Sequence, residues 1–159
     1  MLFHEADIYD TDDWSLTPEC FSYLDKAFGP FSLDAFANYY NANCLRFYSL
    51  FYTPNALGVD AFSYSWEGEN VLLVPPVLCV GRALHHLRLC QAKGTLVAPK
   101  WPSSHCWPLL LKEFRKFILE VKIFKGNKIL RHGLNQKTLL GADFFQGEML
   151  AVVLDYSHN

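Results

Sequence analysis

Residues 69–77 read ENVLLVPPV, and this stretch decides the fold of the chain. An apolar run of strand length, residues 71–74, ends at the proline pair Pro75 and Pro76. Residues 77–92 then place apolar side chains at helical spacing. The stretch therefore predicts a strand-to-helix junction in an α/β domain, a position where active sites often lie.

Outward from this junction, strands alternate with helices. Residues 18–28 predict a helix that is capped by Thr17, has Pro18 in its first turn and ends at Gly29 and Pro30. The other predicted elements are strands over 31–37, 71–74, 95–98, 118–124 and 149–155, and helices over 77–92, ended by Lys93 and Gly94, and over 103–116. This order predicts an α/β fold with a mainly parallel sheet, helices on both faces and an antiparallel terminal strand.

Length and composition predict one globular domain. The chain has 159 residues, of which 51% are hydrophobic, and its formal net charge is −2. It is not a polycation that would bind nucleic acid through counterion release alone. We interpret residues 1–16 as an acidic linker or edge segment and residues 17–159 as the domain. The five cysteines are odd in number and form no CxxC pair, which favours a reducing, intracellular compartment. No signal peptide or membrane span is expected.

Two aspartates are candidate ligand-binding residues. Asp34 and Ala37 fall near the carboxyl end of the strand over 31–37, where open α/β sheets bind ligands, and Asp60 falls near another predicted strand end. Either acid is suited to a ribose hydroxyl or an adenine amine of a nucleoside cofactor. The alternative is that each aspartate caps a loop. With Glu67, they also form the candidate carboxylate set of a metal-dependent nuclease, for which Glu69 is a further acid.

Three further features each have a functional and a structural interpretation. His85, His86 and Cys90 share a predicted helix and offer zinc ligands, although a polar helix face with a buried thiol is the favoured interpretation. Residues 101–107, which contain two tryptophans, either stack on a base or pack over the sheet. The basic run over 112–128 either contacts phosphate or forms a solvated face. No GxGxxG or Walker loop is present.

Ordered sequence blocks resemble a known family. DWSLTP (13–18), FGPFSLDAFA (28–37) and RFY (46–48) look like the opening of phage-type Dam-like DNA adenine methyltransferases. Residues 71–76, preceded by Trp66 and Gly68, resemble the segment that leads into that family's catalytic Asn-Pro-Pro-Tyr. The sequence resembles the Dam-like domain of DIRS-type retroelements still more closely. The blocks that carry this resemblance, in order, are GVDAF (58–62), WEGEN (66–70), GTLVAPKWPS (94–103) and the Trp-Pro at 107–108.

The resemblance implies a Rossmann-like methyltransferase fold, S-adenosylmethionine as cofactor and DNA as partner. In active members the motif's asparagine and a proline carbonyl accept from the amine of a flipped adenine, and its tyrosine stacks on the base. Val74, Pro75, Pro76 and Val77 occupy these motif positions here. Losing the polar acceptor costs about 10²-fold or more in rate.

We therefore predict a degenerate, non-catalytic DNA adenine methyltransferase-like domain derived from a retroelement polyprotein. It would act as a nucleic-acid-binding or structural module beside reverse transcriptase, RNase H and recombinase domains. The alternative is an active S-adenosylmethionine-dependent enzyme, and a remoter one is an RNase H-type nuclease.

Overall fold

The computed structural model of the protein describes residues 14–37, 46–49, 56–75, 79–99, 115–125, 130–132 and 148–157. Several predicted features lie outside these residues. They are Pro76 and Val77 of the motif, the 101–107 loop and all but the last two residues of the helix over 103–116.

Two α-helices are present in the described chain. Helix α1, Pro18–Phe28, begins where predicted, because the Thr17 hydroxyl accepts a hydrogen bond of 3.3 Å from the Cys20 backbone N–H. It also ends where predicted, at Gly29, whose N–H donates to the Asp25 carbonyl over 2.8 Å. Helix α2, Val80–Leu89, lies within the predicted range 77–92 but ends three residues earlier.

Nine strands complete the described structure, with short 3₁₀ helices at Ala61–Ser63 and Arg115–Phe117. The strands are β1 (Trp14–Leu16), β2 (Leu33–Asp34), β3 (Tyr48–Ser49), β4 (Gly58–Val59), β5 (Asn70–Leu73), β6 (Lys93–Pro99), β7 (Ile118–Lys125), β8 (Leu130–His132) and β9 (Glu148–Asp155). The predicted strands over 71–74, 118–124 and 149–155 are confirmed. The strand expected over 31–37 is present only as β2.

The prediction that Lys93 and Gly94 end the preceding helix was wrong. Both residues begin β6, where Gly94 pairs with Val71 of β5 and Leu154 of β9. A Cβ atom on Gly94 would lie 2.9 Å from the Val71 carbonyl oxygen. This glycine therefore serves close strand packing and not a helix C-cap.

The principal sheet is mixed. Its strand order is β2-β5-β6-β9-β7, with β2, β5 and β6 parallel and β9 antiparallel to both of its neighbours. The predicted α/β class and the parallel pairing of the early strands are confirmed, but the sheet is mixed and not mainly parallel, because β9 is antiparallel to both of its neighbours. A parallel bridge between Asp34 and Phe47 joins β2 to the parallel pair β3-β4. Strand β1 pairs with β8, so the end of the predicted 1–16 segment is a strand.

Successive residues of β5 belong to two hydrophobic clusters. Val71 and Leu73 pack with residues of α2, whereas Leu72 and Val74 pack with residues of α1. The first cluster, which we call the α2 cluster, includes Trp66, Val80, Leu84, Leu87, Leu96, Val152, Leu154 and Tyr156. The second, the α1 cluster, comprises Leu16, Cys20, Leu24, Phe31, Leu72, Val74, Val97, Met149 and Ala151. Because side chains alternate along a strand, β5 buries both of its sides.

The path of the chain creates a switch point between β2 and β5. From β2 the chain adds β3 and then β4 on one side, and it returns to the other side of β2 with β5 and then β6. At such a reversal in a parallel sheet, the loops after the two central strands diverge and leave a crevice at their carboxyl ends. The residues after β2 and β5 are therefore the first place to look for a site.

Candidate functional site

The structure brings two of the predicted site segments together at this switch point. Asp34, the last residue of β2, is in register with Leu72 of β5, and the Ala35 N–H donates to the Leu72 carbonyl over 3.2 Å. Val74 and Pro75 follow β5 at the same edge of the sheet. The sequence pattern predicted Asp34 near the end of its strand, and Asp34 is the last residue of β2.

Asp34 is a buried acid. It is only 2% exposed, and its backbone N–H donates to the Arg46 carbonyl over 3.0 Å. Residues in register on parallel strands point to the same face, so Asp34 shares the face of Leu72 and of Thr95 in β6. A carboxylate is rarely buried unless its oxygens are satisfied, because desolvation of the charge is costly. Asp34 is thus a buried acid at the switch point of the sheet.

Thr95 adds a second polar group to that face. The residue is fully buried, and within the described part of the chain its hydroxyl has no hydrogen-bond partner. A buried hydroxyl without a partner costs about 1–3 kcal/mol. The face of the sheet that packs on α1 therefore carries two buried polar side chains, Asp34 and Thr95, on either side of Leu72.

Val74 is a residue of the hydrophobic core. It is 6% exposed and packs in the α1 cluster with Leu16, Leu24 and Val97. Pro75, which follows it, is also buried. The position that the resemblance assigns to a hydrogen-bonding side chain is thus occupied by part of the hydrophobic core.

Ala37 and Asp60 have local structural contacts. The Ala37 N–H donates to the Tyr48 carbonyl over 2.9 Å and so ties the segment after β2 to β3. Asp60 has a φ of 68° and caps the 3₁₀ helix: its Oδ1 accepts from the Phe62 N–H at 3.1 Å and its Oδ2 from the Ser63 hydroxyl at 3.2 Å. These contacts favour the loop-capping interpretation of Asp60.

A polar cluster at the opposite edge was not predicted. Glu69, just before β5, accepts from Arg46 at 2.6 and 2.8 Å and from the Ser32 hydroxyl at 2.6 Å. The same hydroxyl accepts from the Asn70 N–H at 2.9 Å. The cluster joins the starts of β2, β3 and β5. The only signal in the sequence was that Arg46 and Glu69 both fall inside blocks of the resemblance.

The carboxylates of the nuclease interpretation do not converge. Glu67 is exposed in the turn that precedes β5, whereas Asp34 ends β2 beside the middle of β5. Both Asp60 oxygens are engaged by its own loop. Among the described residues, no group of three histidine, cysteine, aspartate or glutamate side chains is suited to a metal ion.

The His86–Cys90 pair is close but its nitrogen is occupied. His86 Nε2 lies 2.7 Å from the Tyr64 carbonyl oxygen and 3.5 Å from Cys90 Sγ. Because a carbonyl oxygen only accepts, Nε2 carries the hydrogen and is neither a metal ligand nor a base for the thiol in this arrangement. The pair lines an open groove of about 340 Å³, and it ties α2 to the segment before β5. The structural interpretation of these residues is the one that the geometry favours.

An aromatic cluster supports the site from the α2 side. Trp66 is fully buried, its Nε1–H donates to the Ala61 carbonyl over 3.1 Å, and its ring lies 4.3 Å from that of His86. The ring of Phe36, two residues after Asp34, lies 5.4 Å from that of Phe62 and is tilted against it by 58°. These rings join the segments after β2 and β4 and hold the carboxyl edge of the sheet together.

Residues 5–81 match the family model described as DNA N-6-adenine-methyltransferase (Dam). The matched segment, just under half of the chain, contains Asp34, Asp60 and the Val74-Pro75 junction. It thus agrees with the Dam-like resemblance of the sequence over this part. No curated protein matches the chain. Within the described residues, no helix has the length and hydropathy required to cross a bilayer.

Proposed function

We propose that this chain is a Dam-like methyltransferase domain that has lost methyl transfer and acts as a DNA-binding or structural module. The observation that supports this most directly is the burial of Val74 in the α1 cluster, directly after β5, the strand that pairs with the strand of Asp34. The order of the strands supports a binding edge at the sheet, whereas the motif position that would have to accept from the adenine amine is a valine of the core.

The architecture supports a Rossmann-like methyltransferase fold. The early strands are parallel, a switch point lies between β2 and β5, and one reversed strand, β9, follows late in the chain. The alternating membership of β5 residues in the α1 and α2 clusters supports the placement of one helix on each face of the sheet.

Loss of transfer follows from the chemistry of the adenine amine. An exocyclic N–H donor needs an oxygen acceptor to orient it and to take up positive charge as the new N–C bond forms. A valine side chain offers no acceptor. Backbone carbonyls beside Pro75 remain and still suit the binding of a base, because proline removes backbone donors and holds the local path of the chain. The junction is therefore consistent with binding without reaction.

The described residues fit part of a cofactor site. S-adenosylmethionine, when bound, supplies an electrophilic methyl group on a sulfonium. Asp34 has the position of an acid that would hold the cofactor's ribose or amino group, and Ala37 would contribute backbone beside it. Asp60, with both oxygens bound to its own loop, fits a loop cap better. We therefore assign cofactor binding, where it is retained, to Asp34.

The wider context follows from the sequence resemblance. The order of the GVDAF, WEGEN and GTLVAPKWPS blocks supports derivation from a DIRS-type retroelement polyprotein, with reverse transcriptase, RNase H and recombinase domains as neighbours. In that setting the domain comprises residues 17–159, works inside the cell and meets DNA. Pairing of β1 with β8 supports the edge-strand interpretation of the preceding segment.

Labelled-methyl transfer tests the proposal. The chain is incubated with tritiated S-adenosylmethionine and unmethylated duplex DNA containing adenine in all sequence contexts, and DNA binding is measured in parallel by fluorescence anisotropy. We expect DNA binding that weakens with salt and no protein-dependent transfer. Transfer that scales with protein concentration and disappears in Pro75→Ala would overturn the proposal and establish the active enzyme.

Cofactor binding is measured separately by calorimetry. Asp34→Asn should weaken S-adenosylmethionine binding, while the matched variant Asp60→Asn should leave it unchanged within about 2-fold. The reverse pattern would show that the ligand anchor is Asp60. Absence of heat at millimolar ligand would exclude cofactor binding and leave the DNA-binding or structural role.

A further inference from the structure

Strand β7 is an unusual sheet edge. It is the terminal strand in the order of the principal sheet, and within the described residues no further strand pairs with its outer side. It is eight residues long, yet three of its large apolar side chains are exposed: Leu119 by 62%, Val121 by 45% and Ile123 by 54%. Long apolar edge strands are rare in monomers, because their unpaired backbone groups and exposed apolar side chains can associate with other chains.

The exposed side chains continue a buried row of the sheet. Val121 is in register with Val152 of β9 and Ile123 with Leu150, and both partners are buried in the α2 cluster. Leu119 lies at the bulge between Ile118 and Glu120. The apolar face therefore extends to the very edge of the sheet, where a surface strand would carry polar residues.

We propose that β7 pairs with β7 of a second copy of this chain, antiparallel and centred on Val121, and so forms a two-fold dimer with a continuous sheet. In this register Val121 meets its own copy, and Leu119 meets Ile123. Glu120 of each chain then lies opposite Lys122 of the other. The five residues read apolar, acid, apolar, base, apolar, a pattern that is complementary to itself when the strand is reversed.

This symmetry is the reason to choose a second copy over another partner. In a two-fold interface each residue must complement the residue related to it by the axis. A strand chosen to bind a different protein has no need of this property. Within one chain, Lys122 Nζ lies 3.3 Å from Glu120 Oε1, and the two side chains are 40% and 47% exposed. Both side chains therefore remain available to partners across the axis. The proposal is independent of the function proposed above.

Charge reversal gives a sharp test by sedimentation velocity over a series of concentrations. The wild-type chain should show a reversible monomer–dimer equilibrium. Glu120→Lys places four positive charges across the axis, and Lys122→Glu places four negative ones. Each variant should raise the dimer Kd by about 10-fold or more, since like charges directly opposite destabilise a strand pair. Lys26→Glu on α1 makes the same charge change as Lys122→Glu, so it is the control for that variant and should leave the equilibrium unchanged.

Mixing the two variants separates the dimer from a role within one chain. An equimolar mixture of Glu120→Lys and Lys122→Glu should form a heterodimer, because every acid again faces a base across the axis. The charge pair within each chain stays broken in both variants, so recovery in the mixture arises only from contact between chains. Matching circular dichroism spectra confirm that both variants are folded.

Three results would overturn the proposal. A wild-type chain that stays monomeric at all concentrations would show that the edge is covered by the chain itself or by another partner. A dimer insensitive to both charge reversals would place the interface elsewhere. Failure of the mixture to associate, with each variant folded, would exclude the register centred on Val121.

Discussion

Replacing Val74 by asparagine restores, in type, the side chain that the Dam-like motif carries at this position. If Val74 is a core residue, as its 6% exposure and its packing in the α1 cluster indicate, this substitution must destabilise the fold and must not restore methyl transfer. If position 74 instead faces the crevice, asparagine should be tolerated. The variant therefore distinguishes the two placements of position 74 by its effect on the free energy of unfolding.

The expected magnitude follows from burial. Loss of the buried valine side chain costs about 1.5–3 kcal/mol of hydrophobic stabilisation. An amide left without partners among Leu16, Leu24 and Val97 adds about 1–3 kcal/mol. We therefore expect Val74→Asn to lower the free energy of unfolding by about 3–5 kcal/mol, a large share of the 5–15 kcal/mol that is typical of a domain.

Urea unfolding followed by tryptophan fluorescence measures this change, because the buried Trp66 should report loss of the core. With an m-value of about 2 kcal/mol/M, the midpoint should fall by roughly 1.5–2.5 M. Val74→Ala, which removes methyl groups without adding a polar atom, is the matched control and should cost about 2 kcal/mol. A Val74→Asn chain within about 0.5 kcal/mol of wild type, or one that gains methyl transfer, would refute our placement of this side chain.

Three further predictions concern the scaffold. Ser32→Ala removes the hydroxyl between Glu69 and the Asn70 N–H, and it should cost about 1–3 kcal/mol in urea unfolding. Burial raises the pKa of the Cys20 thiol from 9.0 to about 11, so the unfolded chain loses this proton first and stability should fall as pH rises through that range. Gly94→Ala should cost about 2 kcal/mol or more, since its Cβ would lie 2.9 Å from the Val71 carbonyl oxygen.

Each of these predictions has its own control. For Ser32, the exposed Ser22→Ala should be neutral within about 0.5 kcal/mol. In Cys20→Ala the alkaline loss should shrink; an unchanged pH profile would assign it to other groups. Gly68→Ala meets open space and should cost less than Gly94→Ala, although its φ of 78° is strained for alanine. Equal stability of Gly94→Ala and wild type would show that β5 and β6 are less closely packed than described.

Local patterns in the sequence determined much of this fold. Helix α1 was predicted to the residue at both ends, because Thr17, Pro18 and Gly29 act through contacts within a few residues of one another. The strands β5 and β9 were also predicted from their apolar runs, since a strand buried on one or both sides must be rich in apolar residues. The sequence also predicted Asp34 near the carboxyl end of its strand, but the switch point itself depends on the order of the strands in the folded sheet.

Long-range contacts decided the rest. From the sequence, Gly94 was predicted to end a helix. In the structure it lies in β6, and the reason for a glycine there is the nearby Val71 carbonyl of β5. The Arg46–Glu69 contact joins segments 23 residues apart, and no local pattern predicts it. The burial of the Val74 side chain in the α1 cluster depends on the register of β5 between β2 and β6. The sequence alone shows that the motif position is apolar. Only the tertiary structure shows that this apolar side chain has become part of the core.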